Sequence, residues 1–183
     1  MSTTANISYD QYSLIVNSGA FEERRLELIH GEIREMSPIG LPHEEAVDYL
    51  AAWSFENLDR SKTRVRIQHS IGLPRLDSVP EPDIAWVTQK SYLNERPLGK
   101  DVLLVVEVAD SSLRYDLNEK ASLYAAAGVP DYWVVDLKHQ RVEVFREPTI
   151  EGYGIRETFK VDSIVRPLQF PKVELNTKLL FGA

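Results

Sequence analysis

Glu107 is the residue whose position most strongly indicates chemistry. It stands in Val102–Ala109, a run that is otherwise apolar on both faces, which is typical of a strand buried on both sides. An ionised carboxylate in such a strand is costly unless it has a cation, a network of hydrogen-bond donors or a proton. Glu107 is therefore a candidate for a cation site or, alternatively, for a structural ion pair with one buried arginine or lysine.

Asp83 offers a second carboxylate near the start of another candidate strand, 82–88. If this strand pairs antiparallel with 102–109 about a centre near Glu95, Asp83 approaches Glu107. Two adjacent carboxylates on a buried sheet repel each other unless a divalent cation lies between them, and oxygen ligands favour Mg²⁺ or Mn²⁺ over zinc. Taken alone, Asp83 would be assigned to a turn or a helix cap, and its expected neighbour makes it a candidate ligand.

Lys120 lies beside the apolar stripe of a predicted helix, 113–127. A lysine in that position could extend to water. However, the helix follows the strand of Glu107 and must return over the sheet to a further strand, 132–137, as a right-handed crossover. It can therefore bring an ammonium group to the two carboxylates, where the group would offset charge and orient a water molecule.

The elements that position these residues alternate in type along the chain. Helices are predicted at 8–16, 44–58 and 113–127, and strands at 25–29, 32–36, 65–73, 82–88, 102–109, 132–137, 141–146, 154–160 and from 164 onward. The first two strands flank His30-Gly31, a plausible two-residue hairpin turn. This order predicts an α/β fold with a mixed sheet flanked by helices and additional hairpins, rather than a doubly wound parallel sheet.

Length and composition predict one domain, 1–183, with a core of about residues 20–147 and a C-terminal β extension over 150–183. The sequence has no cysteine, which excludes disulfides and thiolate zinc sites. No run approaches the roughly 18 apolar residues of a membrane span, and no signal peptide is visible. We therefore expect a cytoplasmic protein without a membrane partner.

The charge balance is acidic, with 21 Lys and Arg against 28 Asp and Glu. Proteins that bind nucleic acids are usually basic, but phosphate affinity depends on local patches and on any bound cation. The most basic segment is 60–66, which holds Arg60, Lys62, Arg64 and Arg66. A solvated surface run is the alternative interpretation of this segment.

Several stretches of the chain resemble a known bacterial family. They are Val79–Asp83, Val105–Ala109 and Asn118–Asp136, together with the opening hairpin Leu26–Glu32 and the following Met36-Ser37-Pro38. They look like the small predicted restriction endonucleases of the PD-(D/E)XK nuclease superfamily. The similarity spans roughly residues 20 to 147, and its most specific part is Lys120–Asp136.

This resemblance implies a restriction-endonuclease-like fold with Asp83, Glu107 and Lys120 as catalytic residues. The lysine that the superfamily carries two residues after the glutamate is absent, because Ala109 occupies that place. The family pattern suggests that Lys120 substitutes for it from the following helix. The same pattern implies that the backbone carbonyl of Val108 binds the metal together with the two carboxylates.

The leading hypothesis is metal-dependent hydrolysis of phosphodiester bonds in DNA by a homodimer, with Mg²⁺ or Mn²⁺ as cofactor. Glu27, Glu32 and His43 are accessory candidates: the glutamates as further acidic ligands, the histidine as a base, a phosphate contact or only a polar residue at a helix terminus. One alternative is a non-catalytic DNA- or protein-binding module on the same fold. A purely structural interaction domain is another.

Overall fold

The computed structural model describes residues 5–21 and 24–182. The helices are α1 (Tyr9–Asn17), α2 (Leu41–Asn57), α3 (Leu113–Tyr115), α4 (Ala121–Ala126) and α5 (Thr177–Leu180), and a π-helical turn (Asp116–Lys120) joins α3 to α4. The strands are β1 (Leu26–Ile29), β2 (Glu32–Glu35), β3 (Thr63–Ile67), β4 (Ile84–Thr88), β5 (Val102–Ala109), β6 (Asp131–Asp136), β7 (Arg141–Thr149), β8 (Gly152–Lys160), β9 (Ile164–Val165) and β10 (Leu175–Asn176). The predicted domain bounds also include residues 1–4, 22–23 and 183, which lie outside the described residues.

Six strands form the main sheet in the order β3-β4-β5-β6-β7-β8. Only the central pair, β5 and β6, is parallel, and the chain between them runs through α3, the π-helical turn and α4. A parallel neighbour requires such a crossover, whereas the antiparallel pairs need only short connections. The predicted mixed α/β fold is therefore confirmed.

The predicted pairing of β4 with β5 is also found. Ile84 lies opposite Val106 and Ala85 lies opposite Val105. When this register is continued by one residue, Asp83 lies at the level of Glu107. A bulge between Trp86 and Val87 shifts the register only at the far end of the pair. The sheet thus brings the two candidate carboxylates to one place.

The two faces of the main sheet bury different sets of side chains. One face packs against α2 and the C-terminal segment, and its core contains three tryptophans, Trp53, Trp86 and Trp133. The other face packs against the α4 region. Glu107 lies on this second face, because strand residues alternate in direction and its neighbours at i−2 and i+2, Val105 and Ala109, belong to the second core.

The first hairpin forms at its predicted turn. His30 and Gly31 both have positive φ, 50° and 80°, as a two-residue turn between twisted strands requires. A Cβ atom at Gly31 would lie 2.8 Å from the Cβ of Asn6, so the turn also admits a close approach of the N-terminal segment. The hairpin positions Glu27 in β1 with its side chain buried.

Among the element boundaries that differ from the predictions, two have clear local reasons. α2 begins at Leu41 and contains Pro42 in its first turn. The missing N–H of proline costs nothing there, because N–H groups in the first turn have no acceptor within the helix. β3 ends at Ile67 instead of residue 73, because Gln68 has a φ of 50° and turns the chain out of the strand.

The predicted C-terminal extension is partly continuous with the main sheet. β8 forms one edge of that sheet, and β9 and β10 form a separate two-stranded sheet. Val165, Leu175 and Leu180 belong to the same apolar core as α2. Within 5–21 and 24–182, no helix has the length and apolarity needed to cross a membrane.

Candidate active site

A cavity of about 380 Å³ opens where β4 begins and β5 ends. The hairpin, the first turn of α2, α3 and the π-helical turn complete its walls. Its lining includes four buried carboxylates, called the cavity carboxylates below: Glu27, Asp83, Glu107 and Asp116. His43, Lys120 and Val108 also line it. The topology therefore brings together the three predicted catalytic residues.

Asp83 is held by three donors from three different parts of the chain. The Val108 N–H donates to its Oδ2 at 2.8 Å, the Gln68 amide donates to its Oδ1 at 3.2 Å, and His43 Nε2 lies 3.2 Å from Oδ2. Burial raises the pKa of Asp83, but His43, Val108 and Gln68 outweigh it, so the pKa lies below its ordinary value. Asp83 is therefore a fixed carboxylate that favours its charged form.

Glu107 shares one carboxylate oxygen between two donors. Lys120 Nζ donates to Oε1 at 3.0 Å, and the Tyr124 hydroxyl donates to the same oxygen at 2.9 Å. Burial raises the pKa of Glu107 well above its ordinary value; Lys120 opposes that shift, while Asp116 and Asp83 add to it. Burial, together with the two neighbouring acids, therefore outweighs the lysine.

Lys120 is buried, with only 4% of its surface exposed, and contacts two glutamates. Its Nζ lies 3.0 Å from Glu107 Oε1 and 3.6 Å from Glu27 Oε2. Burial lowers the pKa of Lys120, but Glu107, Glu27 and Asp116 outweigh it and raise the pKa above its ordinary value. The group is thus a charged ammonium inside the cavity.

The π-helical turn carries a buried ionisable residue at each of its ends. A π-turn closes over five residues instead of four, so it adds one residue to the helix and often occurs at functional sites. Asp116 at its start and Lys120 at its end are both buried. The Asp116 carboxylate accepts from the Ser112 hydroxyl, and burial raises its pKa despite Lys120.

The accessory candidates separate into two groups. Glu27 is buried and accepts from the Tyr115 hydroxyl at 3.0 Å, while its Oε2 has no hydrogen-bond donor among the described residues. His43 contacts Asp83 through Nε2, and within the same described residues its Nδ1 also lacks a partner. Glu32, in contrast, is exposed, pairs with Arg34 and does not line the cavity. Glu32 therefore lies outside the cavity that contains the other candidates.

Sequence analysis missed four residues of this site: Asp116, Tyr115, Tyr124 and Gln68. Tyr124 lies in the predicted helix 113–127, where its position in the apolar stripe indicates packing and gives no sign of the hydrogen bond that its hydroxyl makes. Asp116 stands four residues before Lys120, a spacing that in a regular helix indicates a surface ion pair. The spacing alone does not report that both residues are buried, because their burial depends on how the helix packs over the sheet.

The cavity contains more negative than positive charge. Four buried carboxylates face one buried ammonium, and the arginines of the cavity wall, Arg25 and Arg34, pair with other glutamates. Within 5–21 and 24–182 no three His, Asp or Glu side chains form a ready-made metal cluster. Mg²⁺ is usually held by one or two carboxylates together with water and substrate oxygens, so the oxygen donors present fit such an ion.

Comparison with known proteins agrees with this architecture. The sequence model of the Uma2 family, described as "Putative restriction endonuclease", matches residues 9–178. A solved structure of a "putative nuclease" of the DUF820 group from Anabaena variabilis superposes with a TM-score of 0.77 at 17% identity, covering 96% of this chain and 98% of that one. No match was found among curated proteins. Because the family match extends over most of the sequence, the chain belongs to the Uma2 family of restriction-endonuclease-like proteins.

Proposed function

We propose that the protein is an endonuclease that hydrolyses phosphodiester bonds in DNA with Mg²⁺ or Mn²⁺ as cofactor. The observation that carries the proposal is the excess of buried carboxylates around a cavity that also contains a charged lysine. A divalent cation would compensate the excess charge, and phosphodiester hydrolysis is a reaction that such a cation supports.

Asp83, Glu107 and the backbone carbonyl of Val108 would hold the cation. Val108 donates its N–H to Asp83, and the N–H and C=O of one strand residue point towards the same side. The Val108 carbonyl is therefore directed to the side on which Asp83 lies. When bound, the cation would polarise the phosphate and lower the pKa of a water molecule.

Lys120 would orient the attacking water and stabilise charge that develops on the phosphate. Its ammonium is fixed by Glu107 on one side and by Glu27 on the other, so it is positioned before substrate binds. His43 would keep Asp83 in place through Nε2. These contacts support roles for Glu27 and His43 as positioning residues.

Cleavage of plasmid DNA with Mn²⁺, with Mg²⁺ and with a chelator tests the proposal. Asp83→Asn, Glu107→Gln and Lys120→Ala are each expected to lower the cleavage rate at least about 100-fold, as loss of a preorganised electrostatic group does. The matched control is Glu143→Gln, which also removes a buried carboxylate from the main sheet, but away from the cavity. Undiminished cleavage by folded Asp83→Asn protein would refute the assignment.

A second function, binding of DNA or protein without cleavage, is favoured by one observation. Both oxygens of Asp83 already have donors from the chain itself, so this carboxylate is satisfied without a cation. A protein of this kind would bind DNA with and without Mn²⁺ and leave plasmid, branched and single-stranded DNA intact.

The proposal also includes a cytoplasmic homodimer. Two sites related by a two-fold axis suit the cleavage of both strands of a duplex. Sedimentation of the full chain with and without a short duplex measures the number of copies per DNA.

A further inference from the structure

Arg64 and Arg66 project from an edge of the main sheet on the same face as the candidate active site. β3 is the edge strand, and its Arg66 lies opposite Ala85 while Arg64 lies opposite Val87. Ala85 and Val87 belong to the core of the second face, the face that carries Glu107. Asp83 stands two residues before Ala85, so Arg66 is offset from it by about 7 Å along the strand direction.

Among the residues that the structure describes, no carboxylate neutralises these two arginines. Within 5–21 and 24–182, neither guanidinium lies within 4.0 Å of an Asp or Glu oxygen, and Arg66 Nε is buried without an acceptor. Seven other arginines pair with acids: Arg24, Arg25, Arg34, Arg141, Arg146, Arg156 and Arg166. Arg60, Arg75, Arg96 and Arg114 have no such pair within the described ranges either, but they are not neighbours on one strand of the main sheet. In a protein of net charge −7, two arginines of one strand without a carboxylate form a local positive site.

Tyr92 holds the two guanidinium groups in a defined place. Each guanidinium carbon lies 5.8 Å from the centre of the Tyr92 ring, and Lys90 Nζ lies 5.1 Å from it. The Tyr92 hydroxyl donates to the Thr88 carbonyl at 2.9 Å, which fixes the ring. Contact with an aromatic face reduces the entropy that an arginine loses when it binds a ligand.

We propose that Arg64 and Arg66, called the edge arginines below, bind the phosphate backbone of the DNA strand beside the bond that is cleaved. The inference rests on the proposed function and adds where the substrate lies: across the β3 edge and into the cavity at Asp83. Guanidinium groups form two parallel hydrogen bonds to a phosphate, and such contacts do not depend on base sequence.

A second copy of the chain is a less suitable occupant of this edge. Two β3 strands paired with each other would bring Arg60, Lys62, Arg64 and Arg66 of both copies together, and like charges on paired strands destabilise the pairing. DNA is a polyanion, so its phosphates are attracted to the same positive charges. Charge complementarity therefore selects DNA as the occupant.

The salt dependence of DNA binding tests the proposal. A labelled 20-base-pair duplex is titrated with the full chain in Ca²⁺ over a series of KCl concentrations, and a denaturing gel verifies that the duplex stays intact. Each phosphate contact contributes about −0.9 to the slope of log K against log salt. Arg64→Gln/Arg66→Gln is therefore expected to lower the magnitude of the slope by about 2 and to weaken binding roughly ten-fold or more near 0.1 M salt.

A matched double variant removes two positive charges from the C-terminal part of the chain, at the end of β8 and just after β9. Lys160 ends β8, and Arg166 pairs with Glu174 at the surface, so Lys160→Gln/Arg166→Gln alters net charge equally without leaving a buried acid unpaired. This variant is expected to keep the wild-type slope. Equal slopes for the wild type and the edge-arginine variant, or an equal loss in both variants, would overturn the proposal.

The two proposals can fail separately. If the wild type cleaves DNA and the edge-arginine variant has the wild-type salt slope, the proposed nuclease activity stands. The edge arginines are then not part of the DNA interface. Protein that binds with the expected change of slope but never cleaves supports the edge arginines and refutes catalysis. Self-association of the edge-arginine variant with unchanged DNA binding would show that the charges only prevent edge pairing, which also overturns the proposal.

Discussion

The protein buries two groups of carboxylates on its main sheet and its flanking elements, and they are neutralised differently. Along β6 and β7, Asp131, Asp136 and Glu143 each contact an arginine: Arg146 at 3.0 Å, Arg141 at 2.9 Å and Arg156 at 3.0 Å. We call these the arginine-paired carboxylates. Of the cavity carboxylates, Glu27 and Glu107 share a single buried lysine, whereas Asp83 contacts His43.

This difference separates a structural role from a functional one. A buried acid with its own arginine and further donors has no need of another ligand; Asp131, for example, also accepts from the Trp133 indole and the Leu168 N–H. The cavity carboxylates have unused capacity: Glu27 Oε2 lacks a donor among the described residues, and Glu107 takes both donors on one oxygen. Burial alone does not distinguish the groups, whereas the number of cations per acid does.

The largest effect on stability is expected from breaking an arginine pair. Arg146→Met leaves Asp131, which is fully buried, without its cation and should lower the free energy of unfolding by about 3 kcal/mol. Urea denaturation measures this loss. The response to divalent ions should stay that of the wild type, and a loss below about 1 kcal/mol would contradict the structural role of the pair.

Addition of a divalent ion should affect only the cavity group. Mg²⁺ or Mn²⁺ at a hundred times its dissociation constant is expected to stabilise the wild type by about 2.7 kcal/mol, measured as a rise in Tm. Glu107→Gln should abolish the rise, and Glu143→Gln should keep it. An equal rise in Glu107→Gln protein would mean that the ion binds elsewhere, and no rise in the wild type would favour the binding module.

A smaller effect is expected from pH in the presence of a chelator. Because the pKa of Glu107 is raised in the folded protein, its contribution to stability is complete below its ordinary value and is lost as the pH rises towards the raised pKa. Between pH 5 and 8 the wild type should lose stability relative to Glu107→Gln, by at most about 1.4 kcal/mol per pH unit.

Asp136 supplies the opposite case as a control. Burial raises its pKa, but Arg141 and His139 outweigh this and hold the pKa below its ordinary value. The contribution of Asp136 to stability is therefore complete above the ordinary pKa of an aspartate, and it is lost only when the pH falls through the lowered pKa. Because His139 contacts Asp136, the comparison is made in a His139→Gln background. There the effect of Asp136→Asn on stability should stay constant from pH 5 to 8, and a slope parallel to that of Glu107 would contradict the comparison.

The pairing of Asp83 with Glu107 could be predicted because it depends on simple regularities. Alternation along the strands and antiparallel pairing about Glu95 determine which residues oppose each other, and both hold in the structure. The resemblance to a nuclease family suggested Lys120 as well. The mixed sheet followed from the order of strands and helices in the same way.

The remaining parts of the site depend on tertiary contacts that no local pattern reports. His43 reaches Asp83 because α2 begins three residues earlier than predicted, and Gln68 reaches it because its positive φ turns the chain out of β3. Glu27 and Glu32 were equivalent candidates in the hairpin, but only Glu27 is buried by the helix that follows β5. Such outcomes are decided by how the elements pack.

The π-helical turn between α3 and α4 has a consequence for how this kind of site can change over time. Because a π-turn is one residue added to an α-helix, deletion of Leu117 or Asn118 would leave a regular helix. Such a single-codon deletion keeps every acid and the lysine in the gene, but it shortens the spacing between Asp116 and Lys120 from four residues to three. Among relatives, a spacing between Glu107 and Lys120 that is one residue shorter would therefore identify chains without the turn.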